Sequence, residues 1–357
     1  MSRQHEHDRA HRRMLRRRKK AEQHAAALHG EAATLLDELD LPVDEDAWQR
    51  PAQDVLDLAR LLPRPLAWVL GGGGSYGAVQ MGMVRALAGT DLAPDLVVGT
   101  SVGSLNGAVI AGDPGRGPEK LADLWPQIAR RDVFPGTLWA NALAVRAGRE
   151  YLFDSGPLSD LITAQIPAKR IEDLAVPFVA VATDLDTGQR VEMESGELRS
   201  ALLASAAIPG IYPWVEREGR RLVDGGLVAN VPIEVAASRG ARSILVLDCG
   251  TFGVQGRWAE SVVAVVYQAL IIAGRQQVVR DLQVARRLPV VYLPAPSTLT
   301  STILDFSHTH ELAAQAYDET VTMLAALHLV QEPLEPGLYG VPPLKEDHPE
   351  VAPLIRW

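Results

Sequence analysis

The chain has 357 residues, of which 47% are hydrophobic and 22% are charged, and its formal net charge is −9 at pH 7. This balance is typical of a folded globular protein and excludes a wholly disordered chain. A single cysteine, Cys249, excludes an internal disulfide and is compatible with a reducing compartment. No apolar stretch reaches the roughly 18 residues of a membrane-spanning helix. We therefore expect a cytoplasmic protein that contacts membranes only peripherally.

Basic residues are concentrated at one end of the chain. Residues 1–20 carry nine Lys or Arg against two acidic residues. Blocks of like charge repel and stay solvated, so we interpret this segment as a disordered tail. The alternative is attraction to anionic lipid headgroups, whereas nucleic acid is not an expected partner. From residue 21 to residue 64, leucines at helical spacing predict an N-terminal segment of two helices that are split near Pro42.

Short apolar runs alternate with helical patterns from Pro65 onwards. The run Leu66–Leu70 ends in glycines and precedes a helical pattern over Ala78–Ala88, and Leu96–Gly99 precedes a second one over Gly103–Ala111. This alternation predicts an α/β fold. Further strands are predicted at Phe178–Thr183, Gln189–Met193, Arg221–Val223, Ser243–Leu247 and Val290–Leu293.

The C-terminal part, residues 251–357, is predicted to be mainly helical with one further strand. Helical patterns cover Trp258–Leu282 and Glu311–Leu329, and the proline-rich Pro333–Pro353 predicts an extended surface tail. The chain is thus divided into a basic tail, an N-terminal helical segment, a core domain and a C-terminal region. Their predicted bounds are 1–20, 21–64, 65–250 and 251–357.

A serine follows the second predicted strand, in Gly99-Thr100-Ser101-Val102-Gly103. In a strand–Gly-x-Ser-x-Gly–helix turn the serine has a strained backbone and an exposed hydroxyl, because the glycines carry no side chains that would clash with strand or helix. The helix dipole places its positive end near the developing charge. We predict that Ser101 is a nucleophile; an inert strand–helix turn is the alternative. The elbow around it would comprise Gly99, Thr100, Val102 and Gly103.

The base for this serine is not a neighbouring histidine in the core domain, because no histidine occurs from Gly30 to Ser307. Asp224 is the candidate, since its carboxylate could accept the serine proton and burial would raise its pKa from a reference of about 3.9. Two alternatives stay open. Asp-Gly is also a common hairpin turn, and a Ser-Asp-His triad could use His308 or His310.

A glycine run, Gly71–Gly74, follows the first predicted strand. Consecutive backbone N–H groups at a helix start can bind a phosphate or the oxyanion of an acyl-transfer transition state. Gly72, Gly74 and Gly77 fit G-x-G-x-x-G, but no Gly-Lys-Ser/Thr ending follows and no acidic residue lies at the expected end of a second strand. We predict an oxyanion hole formed by Gly72, Gly73 and Gly74. A nucleotide-binding module is the less favoured interpretation.

Four sequence blocks occur in a specific order. They are Leu70–Leu87 with the glycine loop, Val98–Asn106 around the serine, Thr183 to Gly210 with its Ser-Ala-Ala-Ile-Pro-Gly ending, and Val223–Gly226 with Asn230 and Pro232. In this order they resemble the patatin-like phospholipase family, over about half the chain. The resemblance implies a three-layer α/β/α fold with a mostly parallel central sheet, to which N-terminal and C-terminal helical extensions are added.

The same resemblance implies a function. It points to an acyl hydrolase that cleaves lipid esters, of phospholipase or lysophospholipase type, with no metal and no organic cofactor. Carried over residue by residue, Ser101 matches the nucleophile, Asp224 its dyad partner, and Gly72, Gly73 and Gly74 the oxyanion loop.

One departure from the family pattern concerns the glycine loop. The family usually has a basic residue just before the last glycine of the loop, where this chain has Tyr76. The loss of this charge makes a catalytically weak or inactive lipid-binding protein the alternative function.

The apolar segment Ile208–Trp214 lies close before Asp224, and it either lines an acyl-chain groove or belongs to the core.

Overall fold

The computed structural model describes residues 56–136, 148, 150–250, 272, 274–296, 304–330, 332–340 and 351–356. The predicted basic tail, most of the N-terminal helical segment and most of the predicted helix Trp258–Leu282 lie outside these residues. In the described part, residues 274–281 are helical, as predicted. No helix within these ranges is long and apolar enough to cross a membrane.

A nine-stranded sheet forms the centre of the described structure. The strands are β1 (Leu66–Leu70), β2 (Leu96–Thr100), β3 (Phe178–Asp184), β4 (Arg190–Met193), β5 (Val215–Arg217), β6 (Arg220–Asp224), β7 (Ser243–Leu247), β8 (Pro289–Leu293) and β9 (Gly337–Tyr339). Their order in the sheet is β5-β6-β3-β2-β1-β7-β8-β9, and β4 also pairs with β3. The neighbours from β3 to β9 in this order are all parallel, whereas β4 and β6 run antiparallel to β3, and β5 antiparallel to β6.

Helices cover both faces of this sheet. They are α1 (Gly77–Leu87), α2 (Val102–Gly112), α3 (Gly117–Leu124), α4 (Arg130–Val133), α5 (Gly156–Gln165), α6 (Leu198–Ser205), α7 (Gly226–Ala229), α8 (Ile233–Ser238) and α9 (Thr309–His328). One apolar core includes buried residues of α1, α2 and α9, and a second one includes those of α8 and the helical stretch 274–281. These observations confirm the predicted α/β fold with a mostly parallel central sheet.

The sequence of β1 shows why this strand is central. Successive side chains of a strand point to opposite faces, and a strand covered on both faces is a continuous apolar run. Leu66, Trp68 and Leu70 pack into one core, whereas Ala67 and Val69 pack into the other. All five residues are buried.

Two short strands differ from the sequence predictions. The predicted surface tail Pro333–Pro353 is partly wrong, because β9 pairs parallel with β8 and its Leu338 is 0% exposed. The C-terminal region therefore adds two strands to the sheet rather than one, and the sheet extends beyond the boundary predicted at residue 250. The three-residue strand β5 was also missed. Three residues are too few to show a period, so neither strand has a local signal.

The strands β2 and β6 meet end to end against β3. Thr100, the last residue of β2, pairs with Val181, and Asp224, the last residue of β6, pairs with the adjacent Ala182. Because β4 pairs with these same residues of β3, β2 and β6 must share the opposite edge of that strand. This arrangement brings Asp224 next to Ser101, which directly follows β2.

The close crossing of α1 and α9 gives a test of the packing. A Cβ on Gly82 would lie 2.1 Å from the carbonyl oxygen of Ala313. We expect Gly82→Ala to lower the free energy of unfolding by about 2 kcal/mol, because the backbone clash outweighs the roughly 1 kcal/mol that alanine gains over glycine in a helix. Urea denaturation measures this change. The matched control is Gly115→Ala, whose Cβ would have its nearest neighbour at 3.9 Å; an equal loss in both variants would contradict the crossing.

Candidate active site

Ser101 has the strained backbone that its motif predicts. Its φ is 54° and its ψ is −129°, a conformation that residues other than glycine rarely adopt. Its carbonyl oxygen accepts hydrogen bonds from the backbone N–H of Ser104 at 2.8 Å and from the Ser104 hydroxyl at 2.7 Å. The first turn of α2 thus holds Ser101 in place, with its side chain at the edge of a cavity.

The elbow residues show why glycines flank this serine. A Cβ on Gly99 would lie 2.4 Å from the carbonyl oxygen of Gly103, and a Cβ on Gly103 would lie 2.3 Å from that of Leu70. The start of α2 therefore packs directly against the ends of β1 and β2. Between the two glycines, the Thr100 hydroxyl donates to the carbonyl oxygen of Ala229 at 2.8 Å, and Val102 lines the cavity.

Asp224 is the residue that the fold brings to Ser101. Only 6% of it is exposed, and burial raises the pKa of its carboxyl group to about 6. Two interactions oppose this rise, one with the Ser101 side chain and one with the backbone N–H of Gly226, which donates to Asp224 Oδ1 at 2.7 Å. The helix α7 begins at Gly226. The hairpin alternative for Asp-Gly is therefore wrong.

The glycine loop lies against Ser101, but its N–H groups are not equivalent. Gly72 donates its N–H to the carbonyl oxygen of Asn230 at 3.0 Å, so it is not free to bind an oxyanion in this structure. The N–H groups of Gly73 and Gly74 have no acceptor among the described residues. Gly74 lines the same cavity as Ser101. Of the three predicted donors, these two are available.

A buried hydrogen-bond relay that was not predicted from the sequence supports the glycine loop. The Trp125 indole N–H donates to Asn106 Oδ1 at 3.0 Å, Asn106 Nδ2 donates to Gln80 Oε1 at 2.9 Å, and Gln80 Nε2 donates to the carbonyl oxygen of Gly71 at 2.9 Å. All three side chains are at most 3% exposed. The signal was present, since an amide inside an apolar helix needs buried hydrogen-bond partners.

Ser205 connects the two halves of the site. Its hydroxyl accepts the backbone N–H of Ser101 at 3.0 Å and donates to the carbonyl oxygen of Val181 at 2.6 Å. Its own carbonyl oxygen accepts the N–H of Gly225, next to Asp224, at 3.4 Å. The sequence resemblance includes Ser205 in a block but gives it no role; the structure shows that it links the elbow to the aspartate turn.

An apolar cavity begins at Ser101. Besides Gly74, Ser101, Asn106 and Gln165, its lining is entirely apolar or aromatic. These lining residues are Val102, Leu105, Val109, Leu124, Trp125, Ile128, Val133, Phe134, Leu158, Leu161, Ile162, Ile166, Ala206, Ile208, Tyr212 and Phe306. The segment Ile208–Trp214 therefore contributes two residues to the cavity, whereas Trp214 is partly exposed and not among them.

Tyr76, which replaces the basic residue of the family pattern, is buried. It is 2% exposed and belongs to the apolar core that contains α1. An aromatic ring thus occupies the interior beside the loop.

The histidines of the alternative triad lie on the surface. His308 is 46% exposed on its side chain, and its Nδ1 is 3.1 Å from Glu311 Oε2. His310 is exposed as well, and neither lines the cavity at Ser101. This placement gives the triad no support.

Acidic residues near the sheet edge form ion pairs. Asp186 pairs with Arg221, and Glu192 pairs with both Arg190 and Arg239, the latter at 2.7 Å. Within the described ranges, no three His, Cys, Asp or Glu side chains come together as metal ligands would.

The burial of Asp224 has a consequence for stability. The pKa of the Asp224 carboxyl group is about 6 in the folded chain, whereas its ordinary value is 3.8, so the folded state binds the carboxyl proton more tightly than the unfolded state does. This tighter binding stabilises the fold fully below pH 3.8, and the stabilisation is lost as the pH rises through 6. We expect Asp224→Asn to unfold in urea with a free energy about 1–3 kcal/mol above that of the wild type well above pH 6. Below pH 3.8 the two proteins should be equally stable. If the difference in the free energy of unfolding between the two proteins does not change with pH, ionisation of Asp224 does not destabilise the fold.

Comparisons with known proteins show which family the chain resembles. Residues 68–237 match a family model described as "Patatin-like phospholipase". The chain is similar to Patatin-like phospholipase domain-containing protein ZK370.4 of Caenorhabditis elegans, with 32% identity over 203 residues, 56% of this chain and 14% of that protein. It is also similar to Lysophospholipase NTE1 of Mycosarcoma maydis, with 32% identity over 221 residues, 59% of this chain and 11% of that protein.

Among solved structures, the chain is similar to the crystal structure of VipD from Legionella pneumophila, with 17% sequence identity, a TM-score of 0.39, and coverage of 74% of this chain and 67% of that chain. The chain spans less than a sixth of the length of the two curated relatives. The family match covers the strands, the glycine loop and the turn that hold Ser101 and Asp224. Over residues 68–237, this chain therefore matches the patatin-like phospholipase family.

Proposed function

We propose that this chain is a serine acyl hydrolase that cleaves ester bonds of lipids, of phospholipase or lysophospholipase type. One observation carries the proposal: a serine with a strained backbone interacts with a buried carboxyl group at the edge of an apolar cavity. The name of one relative, a lysophospholipase, supports the same substrate class.

In the acylation step, Ser101 Oγ attacks the carbonyl carbon of the ester and Asp224 accepts the hydroxyl proton. The N–H groups of Gly73 and Gly74 stabilise the oxyanion that forms. The C–O bond to the alcohol then breaks, and the leaving alkoxide takes the proton from Asp224. The products of this step are the free alcohol and an acyl ester on Ser101.

In the deacylation step, Asp224 accepts a proton from water as the water oxygen attacks the acyl carbon. The bond to Ser101 Oγ breaks, and Ser101 regains its proton from Asp224 as the fatty acid leaves. Each step begins with an ionised Asp224 and ends with one, so no histidine is required.

The pKa of Asp224 suits this role. A general base is most effective when its pKa is near the working pH, and burial brings this carboxyl group to about 6. At neutral pH the group is mostly ionised, yet it is more basic than a solvated aspartate.

The cavity supports lipid esters as the substrate class. Its lining is apolar except for four residues, and apolar walls bind an acyl chain through the burial of hydrocarbon surface. A cytoplasmic location with peripheral membrane contact through residues 1–20 belongs to the same proposal, because membranes hold such substrates and basic segments are attracted to anionic lipids.

The dyad is tested with p-nitrophenyl butyrate. We expect Ser101→Ala and Asp224→Asn to lower kcat/KM by at least about a thousandfold, because each variant removes one of two groups that act together. The paired His308→Ala and His310→Ala change should keep the activity within about twofold of wild type. Loss of turnover in the histidine variant would favour the triad. A wild type that binds lipid vesicles but equals Ser101→Ala in hydrolysis would favour the inactive lipid-binding alternative.

The pH profile gives a second test. Because a protonated Asp224 cannot accept a proton, kcat/KM should fall as the pH decreases, with an inflection at about 6. One pH unit below the inflection, the activity should be about a tenth of its plateau. A plateau that continues unchanged down to the ordinary pKa of an aspartate would contradict Asp224 as the base.

A further inference from the structure

The apolar cavity follows α2 away from the nucleophile. Its α2 lining ends at Val109, which at 1.5 Å per residue is about 12 Å along the helix from Ser101. The helix α5 also lines the cavity, and it ends at Gln165, which Ile166 follows. We call this cavity, which the two helices line together with residues of other elements, the slot.

A second space lies next to the slot and shares part of its lining. It is a surface groove of about 480 Å³, whereas the slot itself has about 80 Å³. Both are lined by Val109, Gln165 and Ile166, and we call these three shared residues the junction. Beyond the junction the groove reaches Gly112, at the end of α2 and about 16 Å along the helix from Ser101.

The walls of the groove change from apolar to charged. The apolar Ala108, Val109 and Ile166 are buried, whereas Lys120 and Lys169, which carry the charge, are not buried and form what we call the charged rim. Lys120 pairs with Asp113 at 2.8 Å. A hydrocarbon chain can therefore extend over the apolar part, but it gains nothing by continuing past the charged rim.

The length of this path matches that of a membrane lipid chain. The hydrocarbon core of a bilayer is about 30 Å thick and holds two leaflets, so one acyl chain spans about 15 Å. The slot alone accounts for about 12 Å, and slot and groove together for about 16 Å. A long chain thus needs the groove, whereas a short chain fits in the slot beside Ser101.

We propose that the slot and the groove form one acyl-chain channel, and that Gln165 at their junction is a residue that determines chain-length specificity. This inference rests on the proposed function for its substrate, and it names that substrate as a lipid ester with an acyl chain of membrane length. Gln165 is exposed at the end of α5, so it can be replaced without disturbing the core.

Gln165→Trp tests the channel by filling the junction. We expect the ratio of kcat/KM for p-nitrophenyl palmitate to that for the butyrate ester to fall at least tenfold, because the long chain must pass the junction and the short chain need not. The matched control is Ala164→Trp, which places the same side chain at an exposed position that lines neither the slot nor the groove. Equal ratios in the two variants would overturn the proposal.

A binding measurement separates this inference from the proposed function. Hexadecylphosphocholine and octylphosphocholine are single-chain lipids without an ester bond, and calorimetry below their micelle concentrations gives Kd without any chemistry. Gln165→Trp should weaken binding of the hexadecyl lipid about tenfold and leave the octyl lipid unchanged, whereas Ala164→Trp should change neither. This pattern in a protein that hydrolyses no ester would support the channel and refute the hydrolase. Equal weakening of both lipids would refute the channel.

Discussion

The site depends on one constraint of strand pairing, the end-to-end meeting of β2 and β6 against β3. Val181 of β3 pairs with the last residue of β2, and the next residue, Ala182, pairs with the last residue of β6. Because a strand has only two edges and β4 occupies one of them, β2 and β6 must share the other. Ser101 and Asp224, which are 123 positions apart in the chain, are thereby held side by side by backbone hydrogen bonds rather than by their own attraction.

This arrangement has a cost in stability. Ser101 has a positive φ, and Asp224 is buried at a pKa raised to about 6. Strained backbone and buried ionisable groups persist where the surrounding structure determines them. Here that structure is a set of buried polar contacts: Ser205 binds the elbow to the aspartate turn, and the relay from Trp125 through Asn106 to Gln80 ends on the glycine loop. The same relay begins at the wall of the apolar cavity, so one set of buried hydrogen bonds joins the cavity wall to the glycine loop.

Most of the sheet could be predicted from the sequence, because central strands such as β1 and β7 are continuous apolar runs that end at glycines or polar residues. The two three-residue strands could not. β9 has a buried Leu338 but a proline-rich neighbourhood that is typical of a surface tail, and only its pairing with β8 makes it a strand. In the glycine loop, the pattern predicted three donors. In the folded chain only the N–H groups of Gly73 and Gly74 are available among these three, because the carbonyl oxygen of Asn230 accepts the N–H of Gly72.

The sequence by itself determined the elements whose signals lie within a few residues: the strands, the helices, and the serine between two glycines that its strained turn requires. These features depend on local backbone geometry and on the period of apolar side chains, and both are determined by residues that are close in sequence. Only the tertiary structure decided which groups meet. The contact of Ser101 with Asp224, the relay behind the loop and the groove that lies next to the cavity at Val109 depend on packing between distant segments. Burial and pairing over such separations are properties of the whole fold, and no short stretch of sequence encodes them.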